Sequence, residues 1–297
     1  MQRAHELLPV MRDVERSWPI QPLADEVRAK LQIGERFASG IDGPDVRLVV
    51  YRPAAATGVL PVVLSIHGGA FCFGRPEDFE TVDAALALSV GAVVVAVDYR
   101  LAPEHPFPAG IDDCWAALLW TVANATELGV DVERLAVTGA SAGGALAAAL
   151  CLMTRDRNGP AIAYQALFIP CIDDRLTTPS IRQAVDNPGF NSMAAEGMWL
   201  HYLGEDLPRP ATSPYAAPAR ATSFAGLPPA FVFTGGLDPL RDEGLAYAMA
   251  LLADGVQAEV HNVPGMYHGA PELDSGALAR GRATFIAAID DALHRDR

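Results

Sequence analysis

No apolar stretch of this chain approaches the roughly 18 residues of a membrane-spanning helix. The opening residues, MQRAHELLPVMRDVERSWP, are polar and amphipathic and lack the apolar core of a signal peptide. Cysteine is scarce: Cys72, Cys114, Cys151 and Cys171 form no C-x-x-C pair and show no Cys/His ligand spacing. Three of them lie in apolar runs, as buried thiols do, which argues against a disulfide scaffold and against a structural zinc site. Basic charge is also short, with 22 Lys+Arg against 36 Asp+Glu and a formal net charge of −14. A nucleic-acid surface needs a basic run or stripe, and none is visible. There is no G-x-G-x-x-G and no G-K-[ST] to cradle a phosphate. The expectation is a cytoplasmic globule with no cofactor, no metal, no nucleic-acid partner and no membrane span.

What is present is ordinary globular composition: 297 residues, 51% hydrophobic and 20% charged, enough to bury a large core without staples. From about residue 44, short β-branched runs alternate with longer helical patterns. Strands are predicted at Arg47–Pro53, Val62–His67, Ala92–Tyr99, Leu135–Gly139, Tyr164–Pro170, Ala230–Gly235 and Ala258–Val263. Several are apolar almost throughout, as parallel strands buried on both faces are. Helices are predicted at Asp78–Val90, Gly110–Leu128, Ala142–Arg155, Arg241–Asp254 and Ser275–His294. This alternation predicts an α/β fold, a mostly parallel central sheet with helices on both faces. The earliest strands, joined by short turns such as Asp42-Gly43-Pro44, are candidates for antiparallel pairing.

One connection is too long. About 60 residues separate the strand ending near Pro170 from that starting near Ala230, where such loops usually take roughly 2–6. The segment carries several prolines, a helical patch around Ala194–Tyr202, and Phe190, Met193, Trp199, Tyr202 and Tyr215. Disordered segments lack aromatics, so a lid over a site is the expectation. The first 40 residues, helical in pattern, are candidates to pack on the same lid. The division predicted is 1–40 and 171–224 as a helical cap, with 41–170 and 225–297 as the core.

The sharpest chemical signal is Gly139-Ala140-Ser141-Ala142-Gly143, a G-x-S-x-G between the apolar strand LAVTG and the small-residue helix GALAAALCLM. A strand-to-helix elbow this tight admits only small neighbours and presents Ser141 at the sheet edge. A serine hydroxyl needs a base, and the base an acid to orient it. Of seven histidines, His268 follows the last strand, where open α/β sheets bind ligands. His67 and His105 precede the serine, and His201 and His261 lie in the insertion and in a strand. Asp238 comes first after the strand Ala230–Gly235 and is favoured as the acid over Asp242; it could also cap the following helix, serving both roles. Asp242 and Glu243 look like first-turn acids facing the helix dipole. The loop His67-Gly68-Gly69-Ala70-Phe71 offers unobstructed backbone N–H groups for a developing oxyanion, together with that of Ala142.

HGGAF at 67–71, DYRLAPEHPFPA at 98–109, GASAGG at 139–144, DPLRDEG at 238–244 and His268-Gly269 resemble, in order, the motifs of the hormone-sensitive-lipase-like (bacterial family IV) esterases. The resemblance spans most of the chain. It implies an α/β-hydrolase fold with a helical cap, a serine carboxylesterase acting on short acyl esters without a cofactor, and leaves a homodimer open. The family's nucleophile, acid and base fall on Ser141, Asp238 and His268. Its oxyanion donors fall on the loop Gly68, Gly69 and Ala70 and on Ala142. Two departures stand out: Ala140 replaces the usual Asp before the serine, and Ala70 replaces a glycine. Phe71, Phe190, Met193, Trp199 and Tyr202 are candidates for the acyl pocket. An amide or lactone hydrolase on the same three residues, and a non-catalytic small-molecule receptor of the same fold, are the alternatives.

Overall fold

The computed structural model describes residue 12 and residues 22–204, 211–269 and 275–295. Eight strands form one sheet: β1 Leu31–Ala38, β2 Val46–Pro53, β3 Leu60–Ile66, β4 Val93–Asp98, β5 Val130–Ala140, β6 Tyr164–Phe168, β7 Ala230–Gly235 and β8 Ala258–Val263. Their order across the sheet is β1-β2-β4-β3-β5-β6-β7-β8. The hairpin β1–β2 and the pair β2–β4 are antiparallel, and every later pairing is parallel.

Successive side chains of a strand point to opposite faces, and the valine-rich runs use both. Val93, Val95 and Val97 join one core layer with Val62, Leu64 and Ile66. Val94, Ala96 and Val63 join the other. The first layer is closed by α2 (Ala109–Ala123), α3 (Ala142–Arg157) and α6 (Arg241–Ala253), the second by α1 (Glu80–Val90) and α7 (Ser275–His294). The alanines and glycines of α3 let it lie close on the sheet, and every residue from Ala142 to Thr154 is buried. All four cysteines are buried and unpaired. Among the described residues no helix is long and apolar enough to cross a membrane.

One sequence expectation is overturned. Residues 31–38, placed in a helical N-terminal stretch, form β1, paired in unbroken register from Leu31 opposite Pro53 to Ala38 opposite Val46. Only Leu31 and Ala38 are buried, and Gln32, Glu35 and Arg36 lie toward water at the sheet edge. Backbone pairing, not an apolar stripe, defines this strand, so hydrophobic periodicity is blind to it. The expected cap contribution of 1–40 otherwise falls mostly outside the described residues.

The long connection after β6 holds α4 (Pro179–Gln183) and α5 (Ser192–Leu203). Its later part is strapped to its own start and to the core. The Asp174 carboxylate, fully buried, accepts from Arg220 at 2.7 Å and from Thr212 at 2.7 Å. Arg157 lies over the rings of Trp115 (5.3 Å) and Tyr215 (5.8 Å), a cation–π sandwich joining α2, α3 and the connection.

In the second core layer, Asp83 on α1 accepts from Ser65 Oγ at 2.6 Å, while its second oxygen is buried without a partner among the described residues. Burial raises this carboxyl to about 7, against the Ser65 bond that lowers it. A carboxyl raised in the folded state stabilises fully below its unfolded pKa, and that contribution is lost as pH climbs through the folded one. At ~1.4 kcal/mol per pKa unit this amounts to at most about 4 kcal/mol. Asp83→Asn, which carries no charge, is therefore expected to gain stability relative to wild type as pH rises from about 4 to about 8. Urea unfolding at a series of pH values measures this; a difference that stays flat contradicts the assignment.

Candidate active site

The chain leaves β5 at Ala140 and enters α3 at Ala142 within one residue. Ser141 takes φ 54° and ψ −114° at that elbow. Its N–H donates to Phe168 O at 2.9 Å, and its carbonyl accepts from Ala145 N–H at 3.1 Å and Cys171 N–H at 3.2 Å. The crossing is so close that a Cβ on Gly143 would lie 2.0 Å from Ile66 O, which only glycine avoids. The Ala142 N–H, first in α3, has no intrahelical acceptor, and the positive end of the helix lies beneath the serine.

Parallel pairing from β4 through β8 brings the loops after β3, β5, β7 and β8 to one edge of the sheet. There, His268 Nδ1–H donates to Asp238 Oδ2 at 2.7 Å, which leaves Nε2 to face Ser141 Oγ at 2.9 Å. Asp238 is buried, and its other oxygen accepts Leu240 N–H at 2.7 Å. That bond makes Asp238 a turn residue, since the residue capping α6 is Leu240. The two loops are sewn together: Gly236 N–H donates to Val263 O at 2.7 Å and Leu237 N–H to Met266 O at 2.9 Å. Asp242, by contrast, is turned away to Ser180 N–H at 2.7 Å.

Of the remaining histidines, His261 stacks on Phe233 in β8, His294 bonds Val90 O, and His201 is buried in α5. His5 lies outside the described residues. His67 is buried, stacked on Tyr99 at 4.2 Å, and donates from Nδ1 to Gly68 O at 2.7 Å. Burial lowers its pKa to about 4, so it is a neutral brace for the loop it opens.

That loop lies against the elbow: a Cβ on Gly68 would come 2.9 Å from Ala140 O. Gly69 takes φ +119°, where a Cβ would lie 2.2 Å from Phe73 O, and Ala70 follows at φ 53°. The Gly69 carbonyl accepts from Cys72 and Phe73 N–H (2.9 and 2.8 Å). The N–H groups of Gly69 and Ala70 have no partner among the described residues.

The five pocket candidates separate. Phe71 stacks on Tyr202 with ring centroids 3.7 Å apart, and Trp199 lies 5.7 Å from Phe71. All three are buried. Phe190 instead lies against the His268 ring, 4.6 Å between centroids. Met193 stands apart from the other four, at 67% exposed. On α5 the buried stripe runs through Ala195, Met198, Trp199 and Tyr202, spaced three and four apart, and Met193 falls off it.

Glu243, in the first turn of α6 as its place in the sequence predicts, is fully enclosed and accepts Ile172 N–H at 2.7 Å and Asp173 N–H at 3.3 Å. Burial drives its carboxyl well above the usual range. It thus holds the chain just beyond Cys171, whose N–H braces Ser141. Nothing in the local sequence marks that partner 71 residues away. Burial also pushes the thiol of Cys72 up to about 12 and that of Cys171 well above its usual value, so neither is a thiolate nucleophile. Among the described residues no group of three His, Cys, Asp or Glu side chains is placed to hold a metal ion.

Comparison with known proteins places this geometry. The family profile described as alpha/beta hydrolase fold matches residues 63–272. Carboxylesterase NlhH of Mycobacterium tuberculosis is 41% identical over 275 residues, covering 91% of this chain and 85% of the relative. An arylesterase of Saccharolobus solfataricus is 36% identical over 245 residues, 81% of this chain and 77% of the relative. Among solved structures, a bacterial heroin esterase superposes with a TM-score of 0.87 at 39% identity, covering 99% of this chain and 91% of that one.

Removing the Glu243 carboxyl leaves two buried N–H groups unpaired, roughly 1–3 kcal/mol each. Glu243→Ala is expected to lower the melting temperature by on the order of 5–10 °C. Glu243→Gln, whose Oε1 accepts both bonds, should stay within a few degrees of wild type. Calorimetry of both variants checks this, and an equal loss in the two contradicts it.

Proposed function

The chain belongs to the α/β-hydrolase family, among its hormone-sensitive-lipase-like esterases, and from that membership we propose a serine carboxylesterase with Ser141 as nucleophile, His268 as base and Asp238 as its orienting acid. The observation that carries the reading is the unbroken line from Asp238 Oδ2 through the His268 imidazole to Ser141 Oγ, with links of 2.7 and 2.9 Å. With Nδ1–H bonded to the carboxylate, Nε2 carries the lone pair that takes the serine proton.

In the first half-reaction, Ser141 Oγ attacks the ester carbonyl as its proton passes to His268 Nε2. Negative charge gathers on the former carbonyl oxygen, and in this reading the N–H groups of Gly69, Ala70 and Ala142 receive it while Gly68 sets the loop's approach. Asp238 stabilises the imidazolium. His268 then gives its proton to the departing alcohol oxygen, the carbon–oxygen bond breaks, and the acyl group remains on Ser141. In the second half, water loses a proton to His268, attacks the same carbonyl, and the acid leaves as Ser141 recovers its proton.

Residues 171–224 serve as the cap in this reading, with Phe190 against His268 and the Phe71–Trp199–Tyr202 cluster backing the oxyanion loop. Phe190 this close to the His268 ring suits small acyl groups, and the substrate class proposed is short-chain acyl esters. A chromogenic series from acetyl to palmitoyl is expected to peak at the short end. Ser141→Ala should lower kcat by about 10⁴ or more, and Asp238→Asn by on the order of 10³–10⁴ by leaving the imidazole in the wrong tautomer. Full activity in Ser141→Ala, or a maximum at palmitoyl, refutes the proposal.

A further inference from the structure

The helix start that follows Asp238 meets a second helix start in the connection after β6. Ser180 N–H, in the first turn of α4, donates to Asp242 Oδ2 at 2.7 Å, and Asp242 N–H, in the first turn of α6, donates to Ser180 Oγ at 3.1 Å. The Ser180 hydroxyl donates onward to Pro239 O at 2.8 Å. Two helix N-termini facing each other oppose positive dipole ends and orphan N–H groups; here each supplies the other's missing acceptor. Burial pushes the Asp242 carboxyl up, but Arg241 (2.8 Å) and the Ser180 bonds hold it below its usual value, so the bridging group is a carboxylate.

The same stretch touches the site twice more. Asn187 Nδ2–H donates to Leu237 O at 2.6 Å, one residue before Asp238, and Phe190 rests on the His268 ring. Ser192 Oγ closes residues 181–192 into a compact unit through Ile181 O (2.7 Å) and Ala184 O (3.0 Å). Segment 179–192 is therefore fastened to the loop that carries the acid, and it places an aromatic wall on the base.

We propose that Ser180 and Asp242 form a latch, a pair of positioning residues that fixes the 179–192 segment against the Asp238 loop, holds Phe190 on His268, and thereby sets the acyl-length preference. The proposal rests on the esterase reading above. A latch that only capped two helices would affect stability and leave selectivity untouched.

The test uses the full-length protein and the variants Ser180→Ala, Asp242→Ala, their double, Asp242→Asn and Phe190→Ala, with kcat and KM for acetyl and octanoyl esters and a melting temperature for each. The latch variants are expected to lower the acetyl-to-octanoyl ratio of kcat/KM by about fivefold or more, within the range pocket contacts command. The double variant should be no worse than the poorer single to within about twofold, because the two residues act as one device. Asp242→Asn, whose Oδ1 still accepts Ser180 N–H, should recover most of the ratio. Phe190→Ala, with the latch intact, should show the same shift, and it decides the matter if a latch variant fails to fold. An unchanged ratio with activity falling in parallel with melting temperature overturns the proposal, as do multiplying effects in the double variant. Wild type without ester hydrolysis, or Ser141→Ala with full activity, would overturn the esterase reading and this proposal with it.

Discussion

The backbone at Ser141 takes φ 54° and ψ −114°, a conformation that for a residue with a side chain costs on the order of 1–3 kcal/mol and persists only where the surroundings over-determine it. Its N–H is bound by Phe168 and its carbonyl by Ala145 and Cys171, while Gly143 lets α3 pass against the end of β3. The chain after β6 is in turn held by Glu243. Together these contacts hold the serine in a backbone conformation that an ordinary strand-to-helix turn does not take, with its hydroxyl facing His268. The buried sheet and the small-residue helix α3 are the foundation on which the elbow bears.

The first turn of α6 and the loop before it concentrate three acids with three separate tasks. Asp238 accepts from His268 Nδ1–H, Asp242 from Ser180 N–H, and Glu243 from the N–H groups just beyond Cys171. Their environments separate them: Asp242 is half-buried beside Arg241 and held low, whereas Glu243 is enclosed among backbone donors and driven high. One short stretch of sequence thus joins the His268 loop, the 179–192 segment and the elbow. It gives the run Asp238-Pro239-Leu240-Arg241-Asp242-Glu243-Gly244 a physical reason at each acid.

Much of this was legible before any coordinates. Strands β7 and β8 and helix α7 run between the residues their patterning predicts, because dense apolar runs or stripes bounded by turn residues carry their own limits. The elbow was legible for a related reason, since only a sharp turn needs glycine and alanine on both sides of a serine. What escaped is non-local. Strand β1 is held by backbone pairing with polar side chains outward, so it carries no hydrophobic period. The polar residues Asp131, Glu133 and Arg134 likewise hid the start of β5 at Val130. The pairing of Asp242 with Ser180, the burial of Glu243 and the solvent-facing side of Met193 all depend on what lies across the fold. The partners of the first two come from residues 180 and 172, far along the chain.

The central claim is that Ser141 is the group that becomes acylated. A fluorophosphonate probe reacts with a serine only where a base has activated it and an oxyanion site receives the phosphoryl oxygen, so it interrogates the whole constellation in one step. Intact-mass analysis followed by peptide mapping should find a single adduct on the peptide containing Ser141, forming as ester hydrolysis is lost and absent from Ser141→Ala. Hydrolysis that continues with Ser141 unlabelled, or an adduct confined to another residue, would contradict the account.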